Sequence, residues 1–270
     1  MSRLKLSSLG IALMMKFKKL HLFLCVLLVI LLSGCAGRNR EISPPSDNQC
    51  VDVEIKAPNN TEAFPIVAFY TSDECKKERY NVDMKLYQLK GTQARSINME
   101  FDKISGNYRS QIPMNGGGQC KWRLSKVTLG IQYSRTEHLI KNGGGQIGTA
   151  VGIKIALDDE GETDGNYIIT KNPLLLTPTY YPVITEWHLT KEATDLSLLS
   201  KRNFELYRIN VINKETVYIK LIPILDESKV VRMIGPKIKK KGNHWRIEYP
   251  DGSVTSNGEV TPDFEKLSSM

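Results

Sequence analysis

The sequence predicts an all-β protein, an antiparallel sandwich or two packed sheets with at most one short helix. Three observations carry this expectation. Apolar side chains alternate or concentrate in many runs of roughly five to ten residues. Gly, Pro, Asn and Asp stand between those runs as turn chemistry. Helical spacing of apolar residues is confined to a single stretch.

The first segment is not part of that fold. Lys16, Lys18 and Lys19 precede an uninterrupted apolar run from Leu22 to Leu32, which closes on Ser33-Gly34-Cys35. A charged head, an apolar centre and a small-residue end, in that order, form an export signal. The apolar run is about half the roughly 20 residues a spanning helix needs, so a permanent transmembrane helix is not expected. Met14-Met15-Lys16-Phe17-Lys18-Lys19 would make a complete signal head alone, which leaves Met1, Met14 and Met15 as candidate starts. The ending Leu32-Ser33-Gly34-Cys35 resembles the lipobox of bacterial lipoproteins. That resemblance implies a leader of residues 1–34, a diacylated Cys35 that becomes the first residue, and anchoring to a membrane through lipid. Ala36 stands where enteric lipoproteins retained at the inner membrane carry aspartate, so the implied location is the outer membrane, facing the periplasm.

Removing the leader changes the charge. The whole-chain +8 falls to +3 for residues 35–270, from 32 basic and 29 acidic residues. The basicity therefore belongs mostly to the signal, and no basic stripe with interleaved aromatics points to nucleic acid. Residues 35–49 are polar and Pro-containing and read as a flexible tether. Residues 50–270 form a β-rich periplasmic domain, with a division near 135–146 left open. Cys50, Cys75 and Cys120 remain in a compartment where disulfides persist. The expected bridge is Cys75 to Cys120, closing a loop of about 45 residues for roughly 3–4 kcal/mol; Cys50 to Cys75 is the alternative, through a hairpin of strands 51–57 and 64–71.

The elements follow in order. Val51, Val53 and Ile55 alternate with Asp52, Glu54 and Lys56 as a half-buried strand, and Phe64 to Tyr70 is a denser strand broken at Ser72-Asp73-Glu74. Met84 to Leu89 and Ile97 to Phe101 are further strands, the first ended by Lys90-Gly91. From Cys120 to Tyr133 the alternation slips phase once at Ser125-Lys126, which predicts a β-bulge or a sheet-switching bend there. Asn-Gly-Gly-Gly-Gln occurs at 115–119 and again at 142–146, read as two hairpin loops because neither copy is followed by Gly-Lys-Ser/Thr. Val151 to Leu157 and Tyr167 to Leu176 are strands. Thr190 to Lys201 is the helix candidate, with Leu196 and Leu199 at helical spacing and Thr190 as N-cap. Phe204 to Ile212 and Val217 to Leu225 are expected to pair as a hairpin, His244 to Tyr249 is a last strand, and the chain after Thr261 is expected to fray.

Candidate chemistry is sparse. Acids at 160, 162 and 164 before Gly165 imitate half of an EF-hand loop, but twelve-residue counting from Glu160 lands on Lys171, so no metal is expected. His138, His188 and His244 show no metal-ligand spacing, and no Gly-x-Ser-x-Gly is present. Neither a catalytic set nor a cofactor site is read from the chain, which predicts a binding protein rather than an enzyme. The candidate partner contacts are the acidic run Asp158, Asp159, Glu160, Glu162 and Asp164, and the aromatic segment Tyr180, Tyr181 and Trp187 between and after prolines. The lysines 237 and 239–241 read as a solvated loop or guarded edge. In outline the chain is similar to lipid-tethered immunity proteins that inhibit secreted effectors; a structural accessory of an envelope machine is the alternative.

Overall fold

A computed structural model describes residues 40–141, 144–157, 167–189, 192–210 and 215–270. The export segment and Cys35 lie outside the described residues. One compact unit runs from Ile42 to Met270. Among the described residues there are twenty strands and one helix, and no helix is long and apolar enough to cross a membrane.

The strands form three sheets. Sheet A has the order β11 (Ile168–Thr170), β15 (Phe204–Ile209), β10 (Val151–Ala156), β8 (Trp122–Tyr133), β3 (Ile66–Tyr80) and β4 (Leu86–Ile97), with β2 (Thr61–Ala63) and β7 (Asn115–Gly117) also paired to β8. Sheet B has the order β12 (Leu174–Leu176), β16 (Val217–Leu221), β1 (Cys50–Ile55), β6 (Asn107–Pro113) and β5 (Glu100–Asp102). Sheet C runs β20 (Val254–Thr255), β19 (Arg246–Glu248), β18 (Val231–Ile234), β13 (Thr179–Trp187), β14 (Ala193–Leu199) and β9 (Gly145–Ile147), with β17 (Ile224–Leu225) on β13.

Alternation explains how they pack. Val51, Val53 and Ile55 of β1 and Val217, Ile219 and Leu221 of β16 meet Ile66, Ala68 and Tyr70 of β3 and Val127, Leu129 and Ile131 of β8 in one core. Each such side chain stabilises by about 1.5–3 kcal/mol when fully withdrawn from water. Sheet C is buried on both faces. Tyr180, Leu196 and Leu198 enter the main core, while Tyr181 and Val183 turn the other way, against Val231, Ile247 and Leu267 of α1 (Phe264–Ser269).

The phase slip is a β-bulge. Phe69 pairs with Lys126 and Tyr70 with Leu124, so Ser125 is the extra residue, and its carbonyl accepts the Leu157 N–H at 2.8 Å. The alternation of β8 resumes with Val127, Leu129 and Ile131 facing the core.

Other expectations are corrected. The sheets are mixed rather than antiparallel: β1 lies parallel to β16, β15 to β10, and β13 to β18. Parallel neighbours are far apart in sequence, so no turn signal announces them. For the same reason two expected hairpins do not form. The chain at 204–209 joins β10 in sheet A while 217–221 joins β1 in sheet B, and β1 and β3 also belong to different sheets. Residues 193–199 are strand rather than helix, because Leu196 and Leu198 enter the core alternately and seven residues pair with β13; Thr190 lies outside the described residues. The helix is instead at the C-terminus, where fraying is expected from sequence. Asp263 caps it by accepting the Lys266 N–H, and Leu267 is fully buried.

The two Asn-Gly-Gly copies also differ. The first forms β7 and the turn into β8, whereas the described end of the second, β9, lies parallel to β14. The folded body begins earlier than composition suggests. Ile42 packs on the main core, the Ser43 N–H donates to Gly116 O at 2.8 Å, and the Asn48 side chain bonds the backbone of Asn115.

Candidate functional site: an outer sheet face and a pinned hairpin arm

Sheet A turns one face to the core and the other away from it, although Thr128 and Ala156 in the middle of that second face are themselves buried. Register places Ala94, Phe69, Lys126, Ala156, Arg208 and Ile169 in one row across five neighbouring strands and the edge strand β11. The next row is Ser96, Val67, Thr128, Lys154 and Leu206. Neither row contains a carboxylate. Each row's cations sit on aromatic rings: Lys126 Nζ is 5.1 Å from the Phe69 centroid, Lys154 Nζ 5.4 Å from Phe204, and the Arg208 guanidinium 4.8 Å from Tyr167. Each such contact adds about 0.5–1 kcal/mol at a half-exposed site and fixes where the charge sits. Arg208 Nε is shielded from water and has no hydrogen-bond partner among the described residues. Among the described residues, the first carboxylate met along β8 on this face is Glu62 of the paired β2, held by Gln132 Nε2 at 3.0 Å.

Beside these rows is a groove of about 580 Å³, whose lining includes Phe69, Lys77, Arg79, Leu89, Lys90 and Lys126. Its far wall is an arm that sequence reasoning does not anticipate. The last pair of β3 with β8 is Thr71 with Arg123, yet β3 continues to Tyr80, paired only with β4. Between Ser72–Gly91 and Lys77–Leu89, residues 73–76 of β3 stand opposite Lys90 alone. Polar Ser72-Asp73-Glu74 and the Lys90-Gly91 pair, which read as strand ends, are therefore the two sides of a wide bulge inside a long hairpin.

That bulge turns Cys75 inward to a disulfide with Cys120, the pairing expected from sequence. Ser72 Oγ accepts the N–H groups of Glu74 and Cys75 at 3.1 and 3.0 Å and donates to Cys120 O at 2.5 Å. A side chain at Gly91 would bring Cβ to 2.1 Å from the Cys75 carbonyl oxygen, so only glycine allows the close approach. The tip is equally ordered. Asn81 Oδ1 accepts the N–H groups of Asp83 and Lys85, and the Asn81 carbonyl accepts that of Met84. The turn presents Val82 at 99% and Met84 at 76% exposure, with Tyr80, Leu86, Tyr87 and Leu89 exposed behind them.

The residues singled out from sequence separate. Asp158, Asp159, Glu160, Glu162 and Asp164 lie outside the described residues. Tyr180 and Tyr181 are core residues, 1% and 4% exposed, because successive positions of β13 serve the two cores of sheet C. Burial pushes both phenols above their ordinary pKa. They are therefore corrected from contact residues to packing residues. Trp187 is exposed, stacked edge-on to Trp245 at 5.0 Å, with Nε1 donating to Asp195 at 2.7 Å.

The remaining polar clusters pair internally, with Asn107 Oδ1, His138 Nδ1 and His188 Nδ1 left buried and without a hydrogen-bond partner among the described residues. On the outer face of sheet B, Glu54 accepts from Lys220 at 2.6 Å, Asn107 at 3.0 Å and Arg109 at 3.2 Å, and the Lys220 bond above all holds its carboxyl below the usual range. His138 Nε2 lies 2.8 Å from Glu227, which the Tyr133 hydroxyl also approaches, and Glu186, beside His188, is engaged by Arg232. Among the described residues no group of three or more His, Cys, Asp or Glu side chains is placed to hold a metal ion. Comparison with known proteins gives no match to a family model, a curated protein or a solved structure.

Proposed function

We propose that this chain is a lipid-anchored periplasmic binding protein, an immunity-type inhibitor that occludes a secreted effector or toxin by offering the outer face of sheet A to an acidic surface on it. The observation that carries the reading is the pair of carboxylate-free rows in which Lys154 and Arg208 rest on aromatic rings beside the cation-lined groove. Aromatics with arginine are what protein interfaces enrich, and fixed charges raise encounter rates as well as selecting a partner. An inhibitor must engage before its target acts, and a charged face meets that need through association rate.

The test uses the soluble form of residues 36–270 and the effector encoded beside it. Binding is expected at sub-micromolar strength, with an association rate that falls as salt rises. Reversing two charges, Lys154→Glu with Arg208→Glu, is expected to weaken binding by about 100-fold while the melting temperature stays within a few degrees. Absence of binding at micromolar concentrations, or a reversed variant that binds unchanged, would overturn the reading.

A further inference from the structure

The tip of the arm lies beyond the groove, and its composition differs from that of the face. Val82 and Met84 are held outward by a hydrogen-bonded turn, backed by Tyr80 and Leu86. Arg79 and Lys85 flank them along the chain, with Glu78 and Asp83 between, while Lys77 at the base of the arm turns to Thr92 Oγ1 at 2.9 Å. Exposed apolar side chains at the end of a stiff arm, flanked by Arg79 and Lys85, suit the boundary between phospholipid headgroups and acyl chains.

The position of the arm points the same way. Ser43 bridges to Gly117, next to the turn that carries Cys120, and Cys120 is bonded to Cys75 at the base of the arm. The chain therefore enters the folded unit at the end from which the arm projects. Residues 35 to 42 are seven peptide units and span at most about 25 Å. Residues 75 to 82 are also seven, and at strand rise they reach about 23 Å. Where Cys35 carries lipid, the chain between it and Ile42 is at most about as long as the arm.

We infer that the arm tip is a second membrane contact, dipping Val82 and Met84 into the leaflet that holds the acyl chains. This rests on the reading of Cys35 as the lipidated residue. A protein occupant fits less well, because four apolar side chains fall far short of the roughly 20–30 residues a side in a stable protein interface. The contact would set orientation. With two attachments at one end, the strands of sheet A stand away from the bilayer and their outer face stays open to the periplasm.

The test is co-sedimentation of lipid-free residues 36–270, disulfide intact, with vesicles of phosphatidylethanolamine and phosphatidylglycerol at three to one. Wild type is expected in the vesicle pellet, with at least a fivefold loss for the double variant Val82→Asp, Met84→Asp and a smaller loss for Arg79→Glu with Lys85→Glu. A Val82→Trp variant is expected to shift its emission to the blue on vesicles and to be quenched by brominated acyl chains. Both sites are exposed, and unchanged melting would confirm that the variants fold. Equal sedimentation of wild type and V82D/M84D would overturn the inference. So would an aspartate variant that keeps its vesicle binding but loses partner capture or self-association. Because this form lacks lipid, the outcome is independent of acylation: an unacylated Cys35 in the native protein would remove the anchor reading, whereas an acylated protein with an inert tip would remove only the arm contact.

Discussion

Opening the Cys75–Cys120 bridge should loosen the arm and destabilise the whole unit. The bridge closes a separation of 45 residues, for which the chain-entropy treatment gives about 4 kcal/mol at 25 °C. Replacing both residues by alanine adds a packing loss, since Cys120 is fully buried and Cys75 nearly so. Reduction isolates the crosslink because both sulfurs stay in place. Urea unfolding can be followed by tryptophan fluorescence, with Trp122 inside the core as reporter. With a slope of about 2.5 kcal/mol per molar, 4 kcal/mol moves the midpoint down by about 1.6 M. Trypsin reports the arm separately: cleavage at Lys76, Lys77 and Arg79 should accelerate on reduction, because the bulge that aligns them loses its covalent tie. A midpoint shift below about 0.3 M together with unchanged arm cleavage would refute the claim that this bridge holds arm and body together.

Two other perturbations test the fold. Glu54→Gln keeps the shape but leaves Lys220 without its anion and Arg109 with Asp102 alone, and should cost about 1–2 kcal/mol at pH 7, limited by the exposure of both cations. Because the folded carboxyl is held below its unfolded value, this stabilisation is complete above the ordinary glutamate range and is lost as pH falls through the folded value. The gap in melting temperature between wild type and variant should therefore narrow below about pH 4, and a constant gap would show that the charge is not the cause. Leu267→Ala removes the fully buried residue of α1, whose carbonyl also accepts from Lys229 at 3.0 Å, and should cost about 3 kcal/mol in denaturant unfolding. A loss under 0.5 kcal/mol would mean that the C-terminal segment does not close the second core.

Features encoded by local alternation were legible in the chain, and features encoded by distant pairing were not. The slip at Ser125 is visible because a period of two tolerates one extra residue only at a bulge, and the observed register has that residue. The all-β class and the Cys75–Cys120 bridge follow from equally local signals. Pairing of β1 with β16 or of β10 with β15 leaves no trace in either strand, so the predicted hairpins fail although their strands exist. Leu196, Leu198 and Leu199 satisfy both a helical and an alternating pattern, and seven paired residues on β13 decide for strand. Tyr180 and Tyr181 look like an exposed anchor until sheet C is seen to be buried on both faces. The cationic rows draw on five strands scattered from residue 66 to residue 209, and only the register assembles them.

Intact mass spectrometry of the protein extracted from native envelopes decides whether Cys35 carries lipid. A polypeptide beginning at Cys35, with a diacylglyceryl thioether and an acylated amine, is the expected species. An unmodified amino terminus upstream of Cys35, or recovery of the protein from the cytosol, would contradict the compartment, the anchor and the inhibitory role together.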